Sequence, residues 1–319
     1  MSSDSSVGVG VVIEGRQTTV ALVDRHGRVV RCCFAKTLHG RPPLATLDPY
    51  LREIDALLSY ARDNDLCVRG IGVSIPGSLD DTRHRPLIVP VLPALNGFPL
   101  YDLLRARYAL PVELHVDVDA ALVGEQCLGA GQGVARLLYL RTNAVVGASL
   151  IVDGEVQCEP YLGHISHISV ATTMNGSRCS CGKRGCINTL VSADALQKMV
   201  QRAQRRGEES NLMRRLLNQE QFSSALLAEE AALGDGLALR VYDEMGRWLS
   251  VAITKYMELF EPDMFILGGS IISTNDLLLS RVSHPLERTS NSRVCSMVKI
   301  VPALLGADAT LAGTALSFF

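Results

Sequence analysis

One pattern that occurs twice constrains this chain more than any other feature. Within residues 7–33 three short segments rich in β-branched residues follow one another, VGVGVVIE, TTVALVDR and RVVRCCF, with a turn at His26-Gly27. Such segments read as strands joined by tight turns, a three-stranded meander. The pattern returns at residues 136–140, 147–152 and 155–158, the last two joined by Asp153-Gly154, a dipeptide suited to a two-residue hairpin. Strand and helix signals alternate after each copy. A meander followed by strand-helix alternation, present twice, implies an α/β protein of two lobes facing each other across a central cleft.

The intervening segments fill in that outline. Leu47, Leu51, Ile54, Leu57, Leu58 and Ala61 recur at helical spacing, closed by Asn64-Asp65. VRGIGVSI reads as a strand running into Pro76-Gly77, where glycine permits a tight turn or close approach of backbone to a ligand. A short helix is expected over 100–108, a strand over 112–118 and a helix over 120–128. Ser192 reads as the N-cap of a helix through Arg205, and further helices follow over 212–233. Leu237, Val241, Met245, Leu249, Ile253, Met257 and Phe260 mark a long buried helix, inside which Trp248 reads as a packing residue. DMFILGGS, a strand over 298–301 and a helix from Ala309 complete the chain.

Residues 163–188, GHISHISVATTMNGSRCSCGKRGCIN, have a different character. Cys179, Cys181 and Cys186, with His167 twelve residues before the first of them, offer three thiolates and an imidazole, the donors that tetrahedral zinc prefers. Gly182 and Gly185 let so short a loop fold back on itself. With four protein ligands such a site would be closed and structural. The plainer reading, reduced thiols acting as small buried hydrophobes, fits a segment of Gly, Ser, Lys and Arg poorly. Nine cysteines are an odd number, which suits a reducing compartment better than a disulfide framework, so Cys32, Cys33, Cys67, Cys127, Cys158 and Cys295 read as free thiols.

A net charge of −2 and only short basic runs, such as residues 202–206, give no nucleic-acid surface on the chain as given. No apolar run approaches the roughly 18 residues of a membrane span, and the polar start lacks the features of a signal peptide. A cytoplasmic protein without membrane contact is expected.

The cysteine loop, the two meanders, Pro76-Gly77 and the ILGGS turn together make the chain resemble, over nearly its whole length, the ROK family of sugar kinases and sugar-responsive repressors. The resemblance implies an actin-like ATPase (ribonuclease H-like) fold. Its N-terminal lobe would span 1–118, completed by a C-terminal helix at 305–319, and its second lobe, 119–304, would carry the zinc loop. A homodimer or higher homo-oligomer is expected.

The departures from the family pattern bear on activity. The family writes the zinc loop as G-E-x-G-H, then C-x-C-G-x-x-G-C-x-E; here His164 replaces the first Glu, His167 is the His, and Asn188 replaces the last Glu. His164 also occurs at that place in N-acetylmannosamine-type kinases, and it reads equally as a polar loop residue or a fifth candidate zinc ligand. Kinases of the family open with D-x-G-G-T, whose bare backbone holds phosphate; this chain has IEGRQTT, with Arg16 and Gln17 in place of glycines. Their second phosphate loop, G-T-G-x-G, falls on Asn143, Ala144, Val145, Val146 and Gly147. Gly268-Gly269 resembles the turn on the adenosine side. The Asn-Asp pair that binds sugar and supplies the general base falls on Val116 and Asp117, and the Asn of the family's N-L-P segment falls on Val91. Asp117 reads either as that base or as the cap of the helix behind it, and His115 as surface or cleft wall.

The expectation is a sugar- or partner-sensing regulatory protein without kinase activity, with structural Zn2+ on His167, Cys179, Cys181 and Cys186. Its ligand would be a sugar, a sugar phosphate or a protein partner, held by Gly77, Asp117, His164, His167 and Asn188. With no helix-turn-helix ahead of the first meander, no nucleic acid is expected to bind through this chain. The alternative is an ATP-dependent sugar kinase acting on a hexose or N-acetylhexosamine, such as glucose or N-acetylmannosamine, with Asp117 as base, Gly268 and Gly269 at the nucleotide, and Mg2+. A purely structural component of an oligomer is a third reading.

Overall fold

The computed structural model describes residues 5–157, 167–171, 177–179, 181–272, 277–282 and 298–319. Two compact units divide the chain, Met1–Gly133 with Ala307–Phe319, and Val134–Gly306.

In the first unit β1 (Ser6–Ile13), β2 (Gln17–Asp24) and β3 (Val29–Lys36) form the expected meander. β4 (Cys67–Ile75) and β7 (Val112–Val116) extend it in parallel, giving the order β3-β2-β1-β4-β7. α1 (Pro43–Asp63), the small hairpin β5 (Ser78–Leu79) and β6 (Pro86–Ile88), and α2 (Leu100–Tyr108) connect these strands. On one sheet face Val9, Val11, Ile71, Val73 and Leu114 bury against Tyr50, Ile54 and Leu57 of α1 and Leu104 of α2. The opposite face presents glycines to the last helix, here α9 (Asp308–Leu316). A side-chain carbon added at Gly8 would fall 2.4 Å from the Ala315 carbonyl oxygen, and one at Gly72 would fall 2.1 Å from that of Thr314. The helix therefore lies on bare backbone, closer than any larger residue would permit.

Two sequence expectations are corrected here. The strand β7 ends at Val116 rather than at 118, and α3 (Asp117–Leu128) begins at once. Asp117 and Asp119 in its first turn complement the positive end of the helix dipole, which favours this early start. The boundary between the units also falls after Gly133, so α3 belongs with the first unit and not, as expected, with the second. The cause is close packing of α3 on α9 through Gly124 and Gly313.

In the second unit β8 (Arg136–Thr142), β9 (Val146–Val152) and β10 (Glu155–Val156) repeat the meander, although β10 pairs over two residues only. Asp153 and Gly154 both take positive φ, 52° and 86°, as the hairpin dipeptide requires. β11 (Met264–Gly268) and β12 (Lys299–Pro302) complete the order β10-β9-β8-β11-β12, with β11 parallel to both neighbours. α4 (Asn188–Val191), α5 (Ala193–Arg205), α6 (Asn211–Leu217), α7 (Ser224–Ala232) and α8 (Gly236–Phe260) pack on this sheet, with Leu237, Val241, Met245, Leu249 and Ile253 of α8 buried alongside Leu138, Leu140 and Phe265. Ser192 caps α5 as expected, accepting from Ala195 N at 3.3 Å. Asp235 caps two helices at once: one oxygen accepts from Ala238 N in α8, the other from Asn211 N and Leu212 N in α6. Trp248 packs at the rim of the core, its Nε1 donating to Glu244 Oε1 at 3.4 Å.

Candidate functional site

The cysteine loop is shaped by two glycines in the left-handed region. Gly182 (φ 87°) turns the chain between Cys179 and Lys183, where Cys179 N donates to Lys183 O and Gly182 N to Cys179 O. Gly185 (φ 68°) lies against Ala171, whose carbonyl oxygen would stand 2.1 Å from an added side-chain carbon. Antiparallel bridges Ser169↔Cys186 and Arg178↔Arg184 close the loop, and Lys255 Nζ ties it to α8 by donating to Ser169 O at 2.7 Å.

This folding gathers His167, Cys179, Cys181 and Cys186, with one donor atom of each lying within 4.8 Å of the others. His167 Nδ1 is 3.1 Å from Cys179 Sγ, and Cys181 Sγ is 3.6 Å from Cys186 Sγ. With zinc-sulfur bonds of about 2.3 Å, tetrahedral ligands stand about 3.8 Å apart, so these four fit a single ion. The donor set, three sulfurs and one ring nitrogen, suits zinc. Disulfides are absent among the described cysteines, including Cys32, Cys33, Cys67 and Cys127. His164, Cys158 and Cys295 lie outside the described residues.

At the β1–β2 turn Glu14, Arg16 and Gln17 are exposed, while Thr18, the hydroxyl residue of the loop, is fully buried. Thr18 Oγ1 lies 3.4 Å from Thr37 Oγ1, and Thr37 Oγ1 donates to Glu14 O at 2.9 Å. His39 Nε2 donates to Gly15 O at 2.7 Å. The turn is thus braced by Thr37 and His39 from the segment after β3, and its outer surface is side chain.

The β8–β9 turn consists of Asn143, Ala144 and Val145, since Thr142 pairs with Val146. Val146, matched to the second phosphate loop, is a strand residue, and β9 runs from it through Gly147. Val145 is 61% exposed. The Asn143 side chain turns toward the segment after β11, its Oδ1 accepting from Ser270 N at 2.8 Å, and Asn188 Oδ1 accepts from Val146 N, also at 2.8 Å. Gly268 and Gly269 are used by the fold itself: an added side-chain carbon would fall 2.2 Å from Tyr139 Oη at Gly268 and 2.3 Å from Thr142 O at Gly269.

In the first unit, pairing of Ile75 with Val116 places Gly77 and Asp117 just beyond the same end of adjacent parallel strands, the end where α/β sheets bind ligands. Asp117 is half-buried as the first residue of α3. The glycine at 77 answers to its own chain, since a side-chain carbon there would meet Ile88 O at 1.9 Å. Val91 and Val116 are both half-buried, and Val91 packs on the apolar core beside Gly15. His115, expected at the surface or on a cleft wall, is only 8% exposed and lies in the interior. Burial first, and the Arg83 charge second, push its pKa down to about 4. Its Nε2 stands 3.4 Å from Glu113 Oε2 without hydrogen-bond geometry. Arg83 pairs with Asp119 at 2.9 Å.

The second unit thus brings His167, the three cysteines and Asn188 together near the β8–β9 turn, and the first places Gly77 beside Asp117. Sequence reading missed Thr37, His39, Arg83 and the role of Asn143 as acceptor for Ser270 N. The sequence presents Asn143 only as a glycine replaced, because its partner Ser270 is 127 residues away and only pairing of β8 with β11 makes them neighbours.

Comparison with known proteins adds the following. A family model described as "ROK family" matches residues 8–318. A glucokinase of Thermotoga maritima is 24% identical over 96% of this chain and 95% of its own length. The xylose repressor of Bacillus subtilis is 22% identical over 97% of this chain and 75% of its own. Among solved structures, a ROK family transcriptional regulator, a homolog of the E. coli MLC protein, superposes with a TM-score of 0.86 at 24% identity, covering 98% of this chain and 78% of that one.

Proposed function

The chain belongs to the ROK family, with its actin-like ATPase fold, and we propose that it is a member without phosphoryl transfer, a regulatory protein that senses a sugar or a protein partner. The β1–β2 turn carries this reading. Phosphoryl transfer is largely positioning and charge stabilisation, and a phosphate-binding turn needs bare backbone donors and a reachable hydroxyl. Here Arg16 and Gln17 cover the backbone, and the Thr18 hydroxyl is buried against Thr37. The curated relatives include a xylose repressor as well as a glucokinase, so a non-catalytic member has precedent among similar chains.

Under this reading Gly77 and Asp117 are the candidate ligand-binding residues of the first unit, and His164, His167 and Asn188 those of the second. His167, Cys179, Cys181 and Cys186 would hold a structural zinc, which supplies a cross-link and no reaction step. Retention of Asp117 at the strand end favours a second reading, an ATP-dependent sugar kinase with this carboxylate as general base, using ATP and Mg2+.

A coupled ADP-release assay with ATP, Mg2+ and a panel of hexoses and N-acetylhexosamines separates the two. No sugar-dependent turnover is expected. Turnover that disappears in Asp117→Asn would establish the kinase.

A further inference from the structure

The loop between β5 and β6 holds one residue in a backbone state that its side chain disfavours. Arg83 takes φ 56°, the left-handed region that suits glycine, asparagine or aspartate. Its neighbours enforce that conformation. Asp80 Oδ1 accepts from His84 N at 2.8 Å and from Arg85 N at 3.0 Å, and Arg83 N donates to Asp80 O at 2.9 Å. The His84 ring stacks on Tyr101 of α2 with centroids 3.8 Å apart, which fixes the loop from a second side. Backbone strain of this kind persists where surrounding contacts over-determine it, and it gathers at functional sites.

The guanidinium of this strained residue reaches the start of a helix. Arg83 Nη2 donates to Asp119 Oδ2 at 2.9 Å, and the two side chains are only 29% and 14% exposed. A pair so sheltered is screened far less than a surface one. Asp119 lies in the first turn of α3, which has no side-chain cap: its N-cap is Val116, and β7 runs into the helix without a loop. An uncapped first turn frays readily, because its leading N–H groups have no acceptor within the helix. The ion pair fastens that turn from outside. Depression of the His115 pKa, by burial first and the Arg83 charge second, agrees with a guanidinium standing close to the end of β7.

We infer that Arg83 is a positioning residue: through Asp119 it fixes the first turn of α3, and with it Asp117, against the hairpin that begins directly after Gly77. This rests on the assignment of Gly77 and Asp117 to the candidate site, and it holds whether that site senses a ligand or phosphorylates it. Both residues belong to the first unit, and the clamp sets their spacing before any ligand arrives. Glycine at position 83 would meet the backbone demand without strain, but it would leave α3 without this brace.

The test uses the full chain without ligand, read by amide hydrogen exchange and backbone 15N relaxation. The reporters are Asp117 and the amides of Ala120 and Ala121, which reach back to residues 116 and 117 by helical geometry. Arg83→Gln should accelerate exchange at Ala120 and Ala121 by about tenfold or more and lower the order parameter of Asp117. Arg83→Lys, with the same charge and the same backbone demand, should retain most of the protection. Arg83→Gly removes the strain together with the side chain, so it should melt no lower than Arg83→Gln and yet show the same loosening of α3. Asp119→Asn should reproduce that loosening, and adding Arg83→Gln to it should change nothing further. Loosening confined to residues 80–88, with Asp117, Ala120 and Ala121 unmoved, would reduce Arg83 to a staple of the hairpin and overturn the inference. Equal loosening in Arg83→Lys and Arg83→Gln would overturn it as well. Because no ligand enters these measurements, their failure is distinct from a failure of the functional reading, which the ADP-release assay decides.

Discussion

A side-chain carbon placed on Gly313 would stand 1.8 Å from the carbonyl oxygen of Ala120, so α9 and α3 meet backbone to backbone. A side-chain carbon added at Gly124 would likewise stand 2.2 Å from the carbonyl oxygen of Ala309. These two contacts hold the end of the chain to α3. Gly313→Ala must push the helices apart and should cost about 1 to 3 kcal/mol, the usual range for overpacking a tight contact. Urea unfolding would measure it, and a change under about 0.5 kcal/mol, typical of an unconstrained surface site, would contradict the close packing.

Protein purified without chelator is expected to carry one zinc per chain on His167, Cys179, Cys181 and Cys186, a set whose donor atoms all lie within 4.8 Å of one another. Closed structural sites contribute on the order of 10 kcal/mol of apparent binding free energy. Cys181→Ser should therefore release the metal, lower the melting temperature and open the loop to protease. Elemental analysis far below one zinc per chain would refute the assignment.

His115 should make stability depend on pH. Its folded pKa is depressed to about 4 by burial and by Arg83. The neutral ring is therefore favoured in the fold, and its contribution is present above the unfolded value near 6.5 and lost as pH falls toward 4. The loss can reach at most about 3 kcal/mol between those limits. Urea midpoints at pH 7.5 and 4.5 would show it, and His115→Asn should flatten the difference. An equal pH dependence in that variant would show that other groups carry it.

If the site takes a sugar, it should bind ordinary hexoses weakly, because Val91 and Val116 stand where the family pattern has amides. A buried hydroxyl without a partner costs about 1 to 3 kcal/mol, so two of them weaken binding by about two to three orders of magnitude. Val91→Asn with Val116→Asn should recover much of that by calorimetry. Wild-type binding of glucose, N-acetylglucosamine or N-acetylmannosamine below about 100 μM would remove the premise.

Period and spacing alone determined the two meanders, the α/β class, the long helix α8 and the Ser192 cap, because each depends on residues close together in the chain. The metal cluster was legible for the same reason: its ligands lie within twenty residues, and Gly182 and Gly185 announce the turns between them. The tertiary structure decided what depends on distant partners. It moved α3 into the first unit, because whether Gly124 meets Gly313 depends on how a helix from the far end of the chain docks. It made His115 an interior group rather than a surface one, since alternation along β7 does not reveal that both sheet faces are covered. Asn143 and Asn188 are the clearest case: their sequence positions showed only that a glycine and a glutamate were missing. That their carboxamides fill the donors of Ser270 and Val146 follows from strand pairing and from the path of the cysteine loop, which bring together groups 127 and 42 residues apart.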